Sequence, residues 1–227
     1  MWEIGCSSQG WTAGVYEDEE TLVEELYQKD FRCIEVSAAF THKHIANINP
    51  CAIHAYKKIS DYDVCIILAY MCKIRKVMKD LHCNMLIVHP PEKLIDDYSF
   101  LKYVCKDMVI GIENTSENVF RTVDDMSNIV ECGIVFDFSH FYRLKIPLEV
   151  YRSYKIIHVH ARGFGDSSFY LRINFNSKSD IMLLLQYLKE QNYKGVFMLE
   201  YPYNSINDAI VDQRYLRSCL KLLKGNN

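Results

Sequence analysis

The chain has 227 residues, 49% of them apolar and 24% charged, with a net charge of −3. That balance predicts a soluble globular domain with a sizeable core and argues against a nucleic-acid partner, which usually needs a basic excess or stripe. No apolar stretch approaches about 18 residues, so no membrane span is expected. Nor does a basic start with an apolar run precede the first strand, so no secretory signal is expected. The 9 cysteines are scattered, with no Cys-x-x-Cys pair; they read as small buried hydrophobes in a reducing, cytoplasmic compartment.

In chain order, Trp2–Cys6 predicts a first strand and Glu17–Lys29 a helix. Acids at its start suit the positive end of a helix dipole, and Leu22, Val23 and Leu26 share one face. Strands are predicted at Phe31–Val36 and Val64–Ala69, with Ile45–Ile59 between them unassigned. Next come a helix at Ile74–Leu81, a strand at Met85–His89, a helix at Leu94–Cys105 and a strand at Met108–Glu113. A helix at Asn118–Val130, entered through Thr115 and Ser116 as caps, precedes the strand Gly133–Phe138. After Leu148–Tyr154, again unassigned, come the strand Lys155–His160, the helix Ser179–Glu190, the strand Gly195–Tyr201 and the closing helix Ile206–Leu223. The strands are rich in Ile, Val, Phe and Cys with little polar alternation, as in strands buried on both faces. Eight strand–helix units with no Pro/Gly-rich linker predict one domain over residues 1–227, a single (β/α)8 TIM barrel around an eight-stranded parallel sheet. An open doubly wound sheet is the rival that eight units fit less well.

Five of these strands end in a residue able to bind a divalent metal: Met85-Leu-Ile-Val-His89, Ile110-Gly-Ile-Glu113, Ile134-Val-Phe-Asp137, Ile156-Ile-His-Val-His160 and Val196-Phe-Met-Leu-Glu200. A closed barrel brings strand ends together at its C-terminal face, where barrel enzymes carry their chemistry. Three carboxylates about 4 Å apart repel by roughly 4 kcal/mol per pair at an effective dielectric of about 20. Protons or a cation must therefore neutralise Glu113, Asp137 and Glu200. With His160 they form a set that suits Mn²⁺, Zn²⁺, Co²⁺ or Mg²⁺ better than a thiolate-loving metal. Taken singly, each is only a polar strand terminus; on four successive strands they predict one divalent metal ion.

The segments Ile112-Glu113-Asn114-Thr115, Phe136-Asp137-Phe138-Ser139-His140, His158-Val159-His160 and Leu199-Glu200 resemble motifs of the xylose isomerase-like TIM-barrel superfamily. That group includes sugar isomerases, ketose 3-epimerases and the endonuclease IV group. The resemblance implies that Glu113, Asp137, His160 and Glu200 bind the metal, and that Glu113 and Glu200 also act as the catalytic acid/base pair. It places His140, His89, Glu35 and Arg162 around a small-molecule substrate. The chain departs from the endonuclease IV pattern in two places. Leu68-Ala69-Tyr70-Met71 stands where a histidine would end the third strand, and the stretch after His160 offers Asp166 without a histidine. Arg162 also follows His160 by two residues, closer than the arginine of the epimerases. The resemblance thus implies a metal-dependent isomerase or epimerase acting on a sugar or related polyhydroxy carbonyl compound. The alternatives are an endonuclease IV-like hydrolase or phosphodiesterase, with a second ion near His89 and His140, and a non-catalytic ligand-binding barrel.

The remaining candidates have blander readings. His158 shares a side with His160 one layer deeper and reads as a core histidine. His42 and His44 read as a solvated loop, and His54 and His82 as exposed residues in or near helices. Arg162–Asp166 reads as a plain flexible loop rather than a phosphate cradle. Tyr70, Phe138, Phe141, Tyr201 and Tyr203 are expected as apolar pocket walls.

Overall fold

The structure is a computed structural model; it describes residues 2–9, 11, 18–40, 50–55, 64–91, 98–164, 171–201 and 203–225, excluding the side chains of 64–66, 224 and 225. Eight strands pair in sequence order into a closed barrel: β1 (Glu3–Ser7), β2 (Ile34–Ser37), β3 (Ala52–His54), β4 (Met85–Val88), β5 (Val109–Glu113), β6 (Glu131–Asp137), β7 (Ile156–His160) and β8 (Val196–Leu199). Every pair is parallel, and β8 closes onto β1 through Ile4↔Phe197 and Cys6↔Leu199. Outside lie the helices α1 (Glu19–Gln28), α2 (Val64–Asp80), α3 (Leu101–Val104), α4 (Asn118–Ser127), α5 (Phe138–Leu144), α6 (Leu148–Tyr151), α7 (Lys178–Glu190) and α8 (Ile206–Gly225).

The third strand corrects the sequence reading. Val64–Ala69 is the start of α2, and β3 is the three-residue run Ala52–His54 inside the segment left unassigned. A continuous apolar run does not distinguish a buried strand from a buried helix. Here the burial of Ile67, Met71, Ile74 and Met78 repeats every three to four residues, the period of a helix facing a core. The capping expectation for α4 is corrected as well. Its N-cap is Glu117, without a side-chain bond, while Asn118 donates to the Pro91 carbonyl. By contrast α1 begins on Asp18 and α7 on Ser177, each accepting from the backbone three residues ahead.

Side chains alternate between the outer core, against the helices, and the barrel interior. On β5, Ile110 and Ile112 belong to the outer core, whereas Gly111 and Glu113 face inward. A Cβ at Gly111 would lie 2.5 Å from Val135 Cγ2, so the interior has no room for one there. β7 departs from the alternation through a bulge: Ile134 pairs with Ile156 but Val135 with His158, leaving Ile157 as an extra residue. Ile157 covers Gly133 while the neighbouring His158 reaches Glu35, so both turn inward. The same shift sets His160 level with Asp137. Bulges commonly re-aim side chains in this way beside functional sites.

Among the described residues no disulfide forms and no helix is long and apolar enough to cross a membrane. Cys6, Cys83, Cys105 and Cys219 are buried thiols, whereas Cys72 is exposed.

Candidate metal centre

Asp137 is both the last residue of β6 and the N-cap of α5: its Oδ1 accepts from the His140 backbone N–H at 2.7 Å. The Asp-x-x-His spacing thus follows from capping, which fixes the carboxylate and sets His140 in the first turn above it. Asn114, next to Glu113, clamps the same strand end. Its Oδ1 accepts from the Asp137 N–H at 2.8 Å and its Nδ2 donates to the Asp137 carbonyl at 3.2 Å.

The four predicted ligands converge. One ligand atom from each of Glu113, Asp137, His160 and Glu200 can be chosen so that all lie within 4.8 Å of one another. His160 Nδ1 is 2.9 Å from Glu200 Oε2, 3.2 Å from Glu113 Oε1 and 4.0 Å from Asp137 Oδ2. Glu113, Asp137 and His160 are buried, and only Glu200 opens partly to solvent, at 12%.

Two histidines complete the other side of Glu113. Its Oε2 lies 2.8 Å from His89 Nε2 and 3.3 Å from His54 Nε2, making a second group of His54, His89 and Glu113. His54, expected in or near a helix and exposed, ends β3 at 3% exposure, so a histidine does terminate the third strand. The run Cys51-Ala-Ile-His54 has the same apolar-then-imidazole form as the β4 segment, and its brevity hid it. His140 Nε2 stands 3.6 Å from Glu113 Oε1.

Glu35 and Arg162 are both buried against this cluster. Glu35 is fully buried beneath His160, hydrogen-bonded inside the barrel. It accepts from Ser7 Oγ at 2.9 Å, and its Oε2 is 3.1 Å from His160 Nε2 and 3.3 Å from His158 Nε2. Arg162, 7% exposed, turns into the carboxylates. Its Nε donates to Asp137 Oδ2 at 2.5 Å, and its Nη2 is 3.3 Å from Glu113 Oε1, Glu200 Oε2 and His140 Nε2. The expected aromatic walls are only partly at the site. Phe138 and Phe141 pack on Phe136, Tyr203 is buried with its hydroxyl on Asp212, and Tyr70 lies in α2. His42, His44 and Asp166 lie outside the described residues.

Mutual charge sets the electrostatics. Burial alone would raise the Glu113 carboxyl, but bonds from His160, His54 and His89 hold it well below the usual carboxylate range. Glu200, opposed first by burial, is brought down to about 2 by the Arg162 and His160 charges. Against burial, Glu200 and Glu35 lift the His160 imidazole well above its ordinary value, and Glu113 raises His54. For His158 and His140 burial wins and lowers both.

The residues fit a divalent ion on observations independent of any resemblance. Glu200 Oε2 is buried and makes no well-directed hydrogen bond, despite its nearness to His160. His54 Nδ1 is 3.1 Å from the Ala55 carbonyl and its Nε2 3.3 Å from Glu113 Oε2, so when Nδ1 carries the ring's single proton the Nε2 lone pair faces a carboxylate oxygen. Two electron-rich atoms facing each other call for a proton or a cation between them. The Glu35 carboxylate behind His160 matches the partner that usually orients a metal-binding imidazole.

No protein-family model matches the chain, and no curated protein matches it either. Solved structures do. A D-tagatose 3-epimerase-like protein is similar at 19% identity and a TM-score of 0.69, over 99% of each chain. An L-ribulose 3-epimerase is similar at 14% identity and 0.70, over 100% of this chain and 97% of that one. A xylose isomerase-like TIM-barrel protein from Mycobacterium smegmatis, solved in complex with magnesium, gives 14% identity and 0.60 over 98% of each. Along nearly its whole length the chain therefore shares the closed (β/α)8 TIM-barrel fold of these proteins.

Proposed function

We propose that this protein is a metal-dependent enzyme of the sugar isomerase or epimerase type, acting on a small polyhydroxy carbonyl compound. The observation that carries the reading is the convergence of Glu113, Asp137, His160 and Glu200 from four adjacent strands onto one small volume. The fold shared with sugar epimerases supports it. Mn²⁺, Co²⁺, Zn²⁺ or Mg²⁺ suits this oxygen-rich set with one imidazole; bound there, a divalent ion would polarise a carbonyl and the hydroxyl beside it, acidifying the C–H between them. Glu113 and Glu200 approach the centre from separate strands, and in this reading they remove and return that proton. His89 and His140, at 32% and 18% side-chain exposure, stand at the open side to bond substrate oxygens. Glu35 acts from below by orienting His160.

The test is solvent exchange. In D₂O, Mn²⁺- or Co²⁺-loaded protein should incorporate deuterium next to the carbonyl of at least one member of a ketose panel. Glu200→Gln should stop that exchange while leaving the circular dichroism unchanged.

A second reading, a metal-dependent phosphodiesterase, is favoured by one specific observation: His54 and His89 form a second ligand group that shares Glu113 with the first. A bridging carboxylate between two ligand groups suits a two-metal hydrolytic site. Metal content separates the readings. About one ion per chain supports the isomerase, and two, with cleavage of an abasic-site DNA and no label exchange, supports the hydrolase.

A further inference from the structure

The centre contains a permanent cation of its own. The three oxygens closest to His160 Nδ1 on its partners are Glu113 Oε1, Asp137 Oδ2 and Glu200 Oε2, and Arg162 reaches those same three atoms at 3.3, 2.5 and 3.3 Å. Guanidinium is always charged and its rigid fork suits carboxylates. The backbone on either side is pinned. Ala161 N–H donates to the Met198 carbonyl at 2.7 Å and Gly163 N–H to the Leu171 carbonyl at 2.8 Å. A Cβ at Gly163 would lie 2.4 Å from the Arg172 carbonyl oxygen, so that turn is closely packed. Arg162 thus sits between two hydrogen-bonded backbone positions, and rotation of its side chain is the motion that leaves both bonds in place.

We infer that Arg162 is the resident counter-ion of the carboxylates and competes with the divalent cation for them, so that metal loading requires its guanidinium to leave the three oxygens. This rests on reading the cluster as a cation site. The physical reason is charge. Three carboxylates hold one guanidinium strongly in a dry setting, but a divalent ion cancels most of that attraction and repels the guanidinium directly. Arg162 then sets how tightly metal is held. Without metal it keeps the carboxylates compensated and the barrel folded; with metal it is released toward the mouth.

The test is chelator-competition titration of Co²⁺, followed through its visible absorption, on wild type and Arg162→Met, which keeps an apolar stem without the charge. The variant should bind Co²⁺ at least tenfold more tightly. Its metal-free melting temperature should fall below wild type, and the rise on adding Co²⁺ should be larger. Arg162→Lys, a single point charge that cannot span three oxygens, should fall between the two and serves if Arg162→Met does not fold. A crystal structure of Co²⁺-loaded wild type should show the guanidinium off all three oxygens. Binding by the variant alone also supports the competition, while removing metal from the native function. Equal or weaker affinity in both variants, or a guanidinium unmoved beside a bound ion, overturns the inference but leaves the metal reading intact. No binding by any form overturns both.

Discussion

Below the layer of strand ends, the two halves of the barrel interior are built differently. Beneath His54, His89 and Asp137 lie Ala52, Ile87 and Val135, all fully buried, with Cys51 and Met85 packed against them. Beneath His160 lie His158, Glu35 and Ser7, joined by bonds and close approaches of 2.9 to 3.3 Å. Ala52, Ile87, Val135 and His158 each stand two positions before a site residue, and Glu35 and Ser7 continue that lower layer through the pairs Glu35↔Ala52 and Ser7↔Glu35, so the same period-two rule yields an apolar floor on one side and a polar one on the other. The apolar half holds its site groups by packing and desolvation, which strengthens every charge interaction above it. The polar half fixes direction: it presents Nδ1 of His160 to the carboxylates because Glu35 occupies Nε2.

Substitutions can break this contrast in order of effect. Glu113→Gln removes the one carboxylate common to both histidine groups and to Arg162. Losing one partner of a buried charge cluster costs about 3–5 kcal/mol, and metal content should fall to background; urea unfolding and elemental analysis check both. Ile87→Ala, in the apolar floor, should cost about 2–5 kcal/mol of stability while leaving the metal count unchanged. A parallel loss of metal would show that the floor does more than pack.

Glu35→Gln should leave the fold in place and weaken metal affinity about 10–100-fold, the usual effect of removing a partner that orients a ligand. The same variant carries a pH signature. Burial opposes it, but the His160 charge and the His158 and His160 bonds hold the Glu35 carboxyl well below its ordinary value. A depressed carboxylate stabilises the fold above its unfolded pKa of about 4.3 and loses that contribution as pH falls toward the folded value. The stability gap between wild type and Glu35→Gln should therefore be full above about pH 4.3 and shrink below it. A constant gap would assign Glu35 a purely steric role.

Much of this was legible in the sequence because strand, register and chemistry coincide in the second half of the chain. Long apolar runs ending in Glu113, Asp137, His160 and Glu200 announce the barrel and mark the residues that converge at its candidate site. The first half hid its part. β3 is three residues long, and the apolar start of α2 imitates a strand, so the sequence alone reads His54 as exposed and the third strand as lacking a histidine. The helical spacing of Ile67, Met71, Ile74 and Met78 was the signal that separates the two. Where Arg162 points was not legible at all, since its direction depends on three carboxylates delivered by other strands.

The central claim is a single cation centre at the mouth of the barrel. It is tested most directly by anomalous diffraction from crystals soaked in Mn²⁺ or Co²⁺. The account predicts a peak bonded to Glu113, Asp137, His160 and Glu200. A metal-soaked crystal with no peak there, or with its ion held only by other residues, would contradict it.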